Sequence, residues 1–116
     1  MNESPLYVRT YDLLLWLIPQ VQKFPRIHRF GLAERIQRLG LDFQDSLTAA
    51  GKSRGQERRA LLRRADVQLE QMRTWLRMAQ ELQLLSLRQY EHAARLTNEV
   101  GRLLGAWIKQ LDQGTG

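Results

Sequence analysis

The strongest constraint on the fold is a seam. Leu62, Ala65, Leu69, Met72, Leu76 and Ala79 recur at alternating intervals of three and four residues. On a helix with about 3.6 residues per turn, that spacing aligns all six along one side, and the stripe must be covered by other helices. The same spacing returns in Tyr90, Ala93, Thr97, Val100, Leu104, Trp107 and Leu111, and again in Leu32, Ile36, Leu39, Phe43 and Leu47. Leu6, Leu13, Leu14, Leu17, Ile18 and Val21 supply a fourth apolar face. No segment alternates with the period of two that a strand requires.

Punctuation falls between these faces. Ser4 followed by Pro5 reads as a helix cap with proline at the first helical position, opening a helix over residues 5 to about 23. Pro19 lacks the amide that would bond to the Leu15 carbonyl, so a kink or an early end is expected there. A second helix is expected over about 30–50 with Gly51 as its stop, and residues 51–56 (GKSRGQ) read as an exposed loop before the third helix. Ser86 with Gln89 three positions later is a capping box opening the fourth helix. Residues 114–116 are expected to be a flexible tail, leaving 1–113 as one domain, a size suited to one core. Short connections between long amphipathic helices predict an all-α, antiparallel up-down-up-down four-helix bundle.

Composition narrows the chemistry. There is no cysteine, which excludes disulfides, thiolate catalysis and cysteine-ligated zinc and fits a cytoplasmic setting. The apolar run LLLWLI is far shorter than the roughly 20 residues needed to cross a bilayer and follows acidic rather than basic residues, so neither a membrane span nor an export signal is expected. His28 and His92 have no carboxylate at metal-ligand spacing, nucleophile-and-base constellations are missing, and GKSRG lacks the spacing of a phosphate loop. The chain reads as a non-enzyme with no cofactor and no metal. Trp16, Trp75 and Trp107, one to a helix, are expected to anchor the core.

Charge points elsewhere. Eighteen Lys and Arg against 12 Asp and Glu give +6 at pH 7, and arginine, whose planar fork suits phosphate oxygens, outnumbers lysine. The segment KFPRIHRFGLAERIQR interleaves five cations and a histidine with Phe24, Ile27 and Phe30 around Pro25, predicting a helix-to-helix corner that buries the aromatics and leaves the arginine heads in water. Between Lys52 and Arg64 six cations meet only Glu57, an unneutralised block suited to phosphate contact. Arg59, Arg63, Arg73 and Arg77 share a face of the third helix, whereas Arg88, Arg95, Arg102 and Lys109 on the fourth read as a solvated face laced with local pairs. Gly101 and Gly105 each cost the fourth helix about 1 kcal/mol relative to alanine, which implies close approach of a neighbour, either within the bundle or in another subunit.

The order YDLLLWLIPQVQKFPRIHRFGLAERI, followed by LLRRADVQLEQMRTWLRMAQELQLLSLRQYEHAARLTNEVGRLLGAWIKQ, resembles the accessory variability determinant (Avd) proteins of diversity-generating retroelements. The KFPRxxRF corner, LLSLRQYEHAARL and GRLLGAWIK carry the resemblance most specifically. It places the chain in a wider four-helix-bundle group that includes proteins encoded by intervening sequences in 23S ribosomal RNA genes. Relatives often carry RFTLG at the corner, where this chain has Gly31 and Ala33.

The resemblance implies a barrel-shaped homopentamer with a basic surface and channel. It also implies binding to RNA or DNA, association with a reverse transcriptase, and support of adenine-mutagenised cDNA synthesis without catalysis of its own. The implied binding surface comprises the third-helix residues Arg58, Arg59, Arg63, Arg64, Arg73 and Arg77 and the corner residues Arg26 and Arg29. The alternative is a structural or interaction module of the intervening-sequence type with no retroelement role.

Overall fold

The computed structural model describes residues 4–114, so the expected Ser4 side-chain cap and the last residues of the tail lie outside the described residues. Four helices follow in order: α1 (Ser4–Gln22), α2 (Leu32–Gly51), α3 (Gly55–Glu81) and α4 (Leu87–Asp112), with a 3₁₀ turn (Arg26–His28) between the first two. There is no strand among the described residues. Helix α1 packs on α2 and α4, and α3 packs on the same two, giving a four-helix bundle with extents of 46 × 24 × 19 Å.

The seam residues make the core. Leu62, Ala65, Leu69, Met72 and Ala79 of α3 are fully buried and Leu76 nearly so, in one cluster with Phe43 and Leu47 of α2, Leu13 and Leu17 of α1, and Val100 and Leu104 of α4. Each large apolar side chain contributes about 1.5–3 kcal/mol by leaving water. Trp107 is buried with its ring inclined at 65° to that of Tyr7, while Trp16 and Trp75 are half-buried against the same core. The buried polar residues are hydrogen-bonded: Thr10 Oγ1 donates to the Leu6 carbonyl at 2.8 Å and Thr97 Oγ1 to the Ala93 carbonyl at 3.0 Å within their own helices, and Ser46 Oγ donates across to Gln68 Oε1 of α3 at 2.8 Å.

Gly40 of α2 makes room for an α1 side chain: a Cβ there would lie 2.6 Å from Leu14 Cδ2, so Leu14 would have to shift to admit a larger residue. The capping box is formed: Gln89 N donates to Ser86 Oγ at 3.1 Å and Ser86 N to Gln89 Oε1 at 2.8 Å. Before it, α3 ends in a Schellman motif, with Leu84 N donating to the Ala79 carbonyl at 2.8 Å and Gln83 N to the Gln80 carbonyl at 2.9 Å. The left-handed position of that motif is taken by Gln83 at φ 63° instead of the usual glycine.

Three expectations are corrected and one alternative is decided. Of the kink or early end expected at Pro19, the early end does not occur: α1 continues to Gln22, since one missing amide on an exposed turn leaves the other bonds in place. Helix α2 begins at Leu32 rather than Phe30, because the preceding residues close a 3₁₀ turn through His28 N to Pro25 O at 2.9 Å and Arg29 N to Arg26 O at 3.0 Å. Helix α3 already begins at Gly55, so the connection from α2 is only Lys52, Ser53 and Arg54. At the corner Phe24 is buried as expected, but Ile27 and Phe30 are 86% and 81% exposed. Ile27 lies in the 3₁₀ turn, which buries none of its residues, and Phe30 lies in the short turn between it and α2. No helix of the described residues is long and apolar enough to cross a membrane.

Candidate nucleic-acid interface

The basic block between Lys52 and Arg64 divides into two sets. Arg58 and Arg59 are consecutive, so their side chains leave α3 about 100° apart, and α3 has α2 on one side and α4 on the other. Arg58 Nε donates to the Ala50 carbonyl at 2.9 Å near the end of α2, with its guanidinium 5.7 Å from the Trp107 ring centroid. Arg59 Nη2 donates to the Leu111 carbonyl at 2.7 Å near the end of α4. Each adds a charged donor to a terminal carbonyl that also accepts a backbone amide, Ser53 N at 3.1 Å for Ala50 and Gly114 N at 2.9 Å for Leu111, and places a cation at the negative end of a helix dipole. Arg59 Nε, shielded from water, has Asp112 Oδ1 at 3.6 Å, too long for a hydrogen bond. Arg63 Nη2 lies 3.1 and 3.2 Å from the two Asp112 oxygens.

The second set is free. Lys52, Arg54 and Arg64 are exposed and make no ion pair among the described residues. They line the turn into α3 and its first turns, where charge is held by the fold but left uncompensated.

Farther along α3 the same division recurs. Arg73 is half-buried: Nη2 donates to the Thr97 carbonyl at 3.2 Å and Nη1 reaches Glu70 at 3.1 Å. Its guanidinium lies over Gly101, where a Cβ would stand 2.5 Å from Nη2. Gly101 is thus the packing glycine, and the close approach is within the bundle. Gly105 is different, with nothing within 4 Å of the position a Cβ would take. Arg77 is exposed and only loosely paired with Glu81 at 3.8 Å.

On α4, Glu99 is shared by Arg9 of α1 at 3.1 Å and Arg102 at 3.8 Å, and Arg102 alone of the row Arg88, Arg95, Arg102 and Lys109 has an ion pair among the described residues, so that row carries fewer local pairs than expected. Arg95 faces His92 Nδ1 at 3.5 Å, and the His92 ring meets Trp16 edge-on at 4.7 Å. Arg88 and Lys109 make no ion pair among the described residues.

At the opposite end of α2, about 30 Å away for a helix of 20 residues, Arg26 and Arg29 of the corner are exposed without ion pairs among the described residues. Arg29 lies 5.3 Å from the Phe30 ring centroid. Arg38, in the second turn of α2, donates to Glu34 at 2.9 Å, and that hydrogen bond with the carboxylate charge holds its guanidinium still more firmly protonated. Lys23, one of the five cations read at the corner, is exposed beside Phe24 and belongs with these sets; Asp112, which holds Arg63 and flanks Arg59, is the residue that sequence reasoning left out. Nothing local marks Asp112 as the partner of a residue 49 positions away. Among the described residues no group of three or more His, Asp or Glu side chains is arranged to hold a metal.

A helical bundle whose unpaired surface charge is mainly arginine defines a basic four-helix scaffold. The chain belongs to the bAvd-like family, whose model matches residues 6–111, in keeping with the resemblance read from the sequence. Its fold is similar to that of a Bacteroides thetaiotaomicron protein of unknown function from the S23 ribosomal protein family, with a TM-score of 0.85 and 16% identity over 94% of this chain and 99% of that one. No curated protein matches the sequence.

Proposed function

We propose that the protein is a non-catalytic accessory subunit that binds nucleic acid and a retroelement reverse transcriptase, supporting mutagenic cDNA synthesis from template RNA in the cytoplasm. The observation that carries this reading is the bAvd-like family match over residues 6–111. The electrostatics support it: Arg26 and Arg29 at one end, and Lys52, Arg54 and Arg64 at the other, are cations that no carboxylate among the described residues neutralises. Arginines contacting phosphates release counterions, so affinity falls with salt and carries little sequence preference.

In this reading the unit is a single domain in up-down-up-down order. Contacts between the start of one helix and the end of the next support that order, as in Tyr7 Oη to the Leu47 carbonyl at 2.8 Å and Arg59 to the Leu111 carbonyl at 2.7 Å. The unit assembles as a homopentameric barrel. An exposed apolar groove between α1 and α2, lined by Tyr11, Leu15, Ile18, Pro19 and Leu41, supports self-association.

The test is binding of a structured RNA at low and high salt, with co-purification of a co-expressed retroelement reverse transcriptase. Salt-sensitive binding and capture of the polymerase support the role; salt-independent affinity overturns the electrostatic mechanism. The second reading, a structural or interaction module, is favoured by the shared fold of the S23-family protein of unknown function. A monomer with only weak polyanion binding is its expected signature.

A further inference from the structure

We infer that the cleft beneath the α1–α2 corner is a pocket for one unpaired nucleotide of a single strand, with Phe30 as its stacking platform. The inference rests on the proposed nucleic-acid role and adds to it a site and a strand preference.

The corner exposes an aromatic ring that the core does not need. Phe30 is 81% exposed, and removing it from the bundle would leave no cavity. Beside it opens a cleft of about 590 Å³, within the roughly 300–1,000 Å³ of small-ligand sites. Its floor is apolar, made by Val21, Phe24 and Ala33, all of them buried against the core and therefore rigid. Its rim carries Arg26 and Arg29, neither of which makes an ion pair among the described residues. The Arg29 guanidinium rests 5.3 Å from the Phe30 centroid and leaves most of the ring open.

This combination suits one chemistry. A nucleobase offers a flat π-face for the ring and an edge for hydrogen bonding, and its flanking phosphates supply the negative charge that the two arginines lack. Gln37 in the cleft wall can donate to or accept from the base edge. Glu34, the one carboxylate in the lining, is bound to Arg38 at 2.9 Å, so it does not leave a net repulsive charge facing a phosphate. Lys23 is exposed just after the end of α1 and extends the positive track along the strand. A duplex keeps its base faces stacked, so it can use the arginines but not Phe30.

The experiment measures affinity of the full chain for a short labelled single-stranded RNA and for a blunt duplex of equal length. The wild type is compared with Phe30→Ala, Phe30→Trp and the pair Arg26→Gln with Arg29→Gln. Stacking of one base predicts that Phe30→Ala weakens single-strand binding by roughly 5- to 150-fold while duplex affinity stays within about twofold. Phe30→Trp retains single-strand affinity, and the arginine pair weakens both ligands. Thermal unfolding of Phe30→Ala at the wild-type temperature verifies that the fold is intact.

Equal loss for both ligands, or no loss for either while the wild type binds, overturns the pocket and leaves the nucleic-acid role standing. No binding of either RNA by the wild type overturns both. Binding of anionic vesicles that depends on Phe30 while single-strand affinity is unaffected by Phe30→Ala also overturns the pocket, assigning the corner to a lipid surface.

Discussion

Arg59, near the start of α3, donates from Nη2 to the Leu111 carbonyl over 2.7 Å, joining residues 52 positions apart at one end of the bundle. An arginine read from the sequence as a phosphate contact is therefore also a cap for another helix. Its neighbour Arg58 does the same for α2 through the Ala50 carbonyl. A guanidinium has five donors, so capping does not exhaust it, but a phosphate at Arg59 or Arg63 must share or displace Asp112.

Arg59→Gln should cost the fold about 1 kcal/mol, because a charge-assisted bond at a helix end is removed while the Leu111 carbonyl keeps the Gly114 amide as a donor. Arg64→Gln, on an exposed side chain without an ion pair among the described residues, should stay within about 0.5 kcal/mol. Urea denaturation of the two variants measures the difference, and equal stabilities would remove the capping role.

Gly105→Ala should stabilise the isolated chain by about 1 kcal/mol, since the helix gains propensity and a Cβ there meets nothing within 4 Å. Gly101→Ala should not yield that gain, because its Cβ would stand 2.5 Å from Arg73 Nη2 and 3.3 Å from Leu69 Cδ2, displacing the bond to Thr97. Thermal melts of both variants at equal protein concentration decide the point; a Gly101→Ala gain as large as that of Gly105→Ala contradicts it.

Gln83→Gly should raise stability by roughly 0.5–1 kcal/mol. Gln83 holds φ 63° in the Schellman turn after α3, a region that costs a residue with a Cβ about 1–2 kcal/mol, partly offset by the greater freedom of glycine in the unfolded chain. Its side chain is exposed, so no packing is sacrificed. A denaturation midpoint below that of the wild type would show that the backbone is not strained there.

Combining Lys52→Gln, Arg54→Gln and Arg64→Gln should weaken binding to any RNA sequence about equally. It should also reduce the slope of log affinity against log salt by up to about 3, near one for each phosphate that a removed cation had neutralised. Titrations at several salt concentrations give the slope. An unchanged slope with the fold intact would move the phosphate-binding surface away from the start of α3.

The helices were legible because they are written locally. Every residue of the seam from Leu62 to Ala79 is buried, and Ser86 and Gln89 make the reciprocal bonds their spacing implies. The corner was less legible: the same pattern of aromatics and cations allows Ile27 and Phe30 to point inward or outward, and the turns between α1 and α2 choose outward. The arginine rows were legible only as positive charge. Arg63 and Arg64 are adjacent and chemically identical, yet one is held by Asp112 and the other makes no ion pair among the described residues.

The sequence by itself determined the four amphipathic faces, the capping box and the excess of positive charge, because these depend on residue type and on spacings of a few positions. Only the tertiary structure decided which arginines close helix ends, which glycine is packed and which aromatic ring meets water. Those outcomes depend on distances between residues as far apart as Arg59 and Leu111 or Arg73 and Gly101, and such distances exist only once the helices have packed.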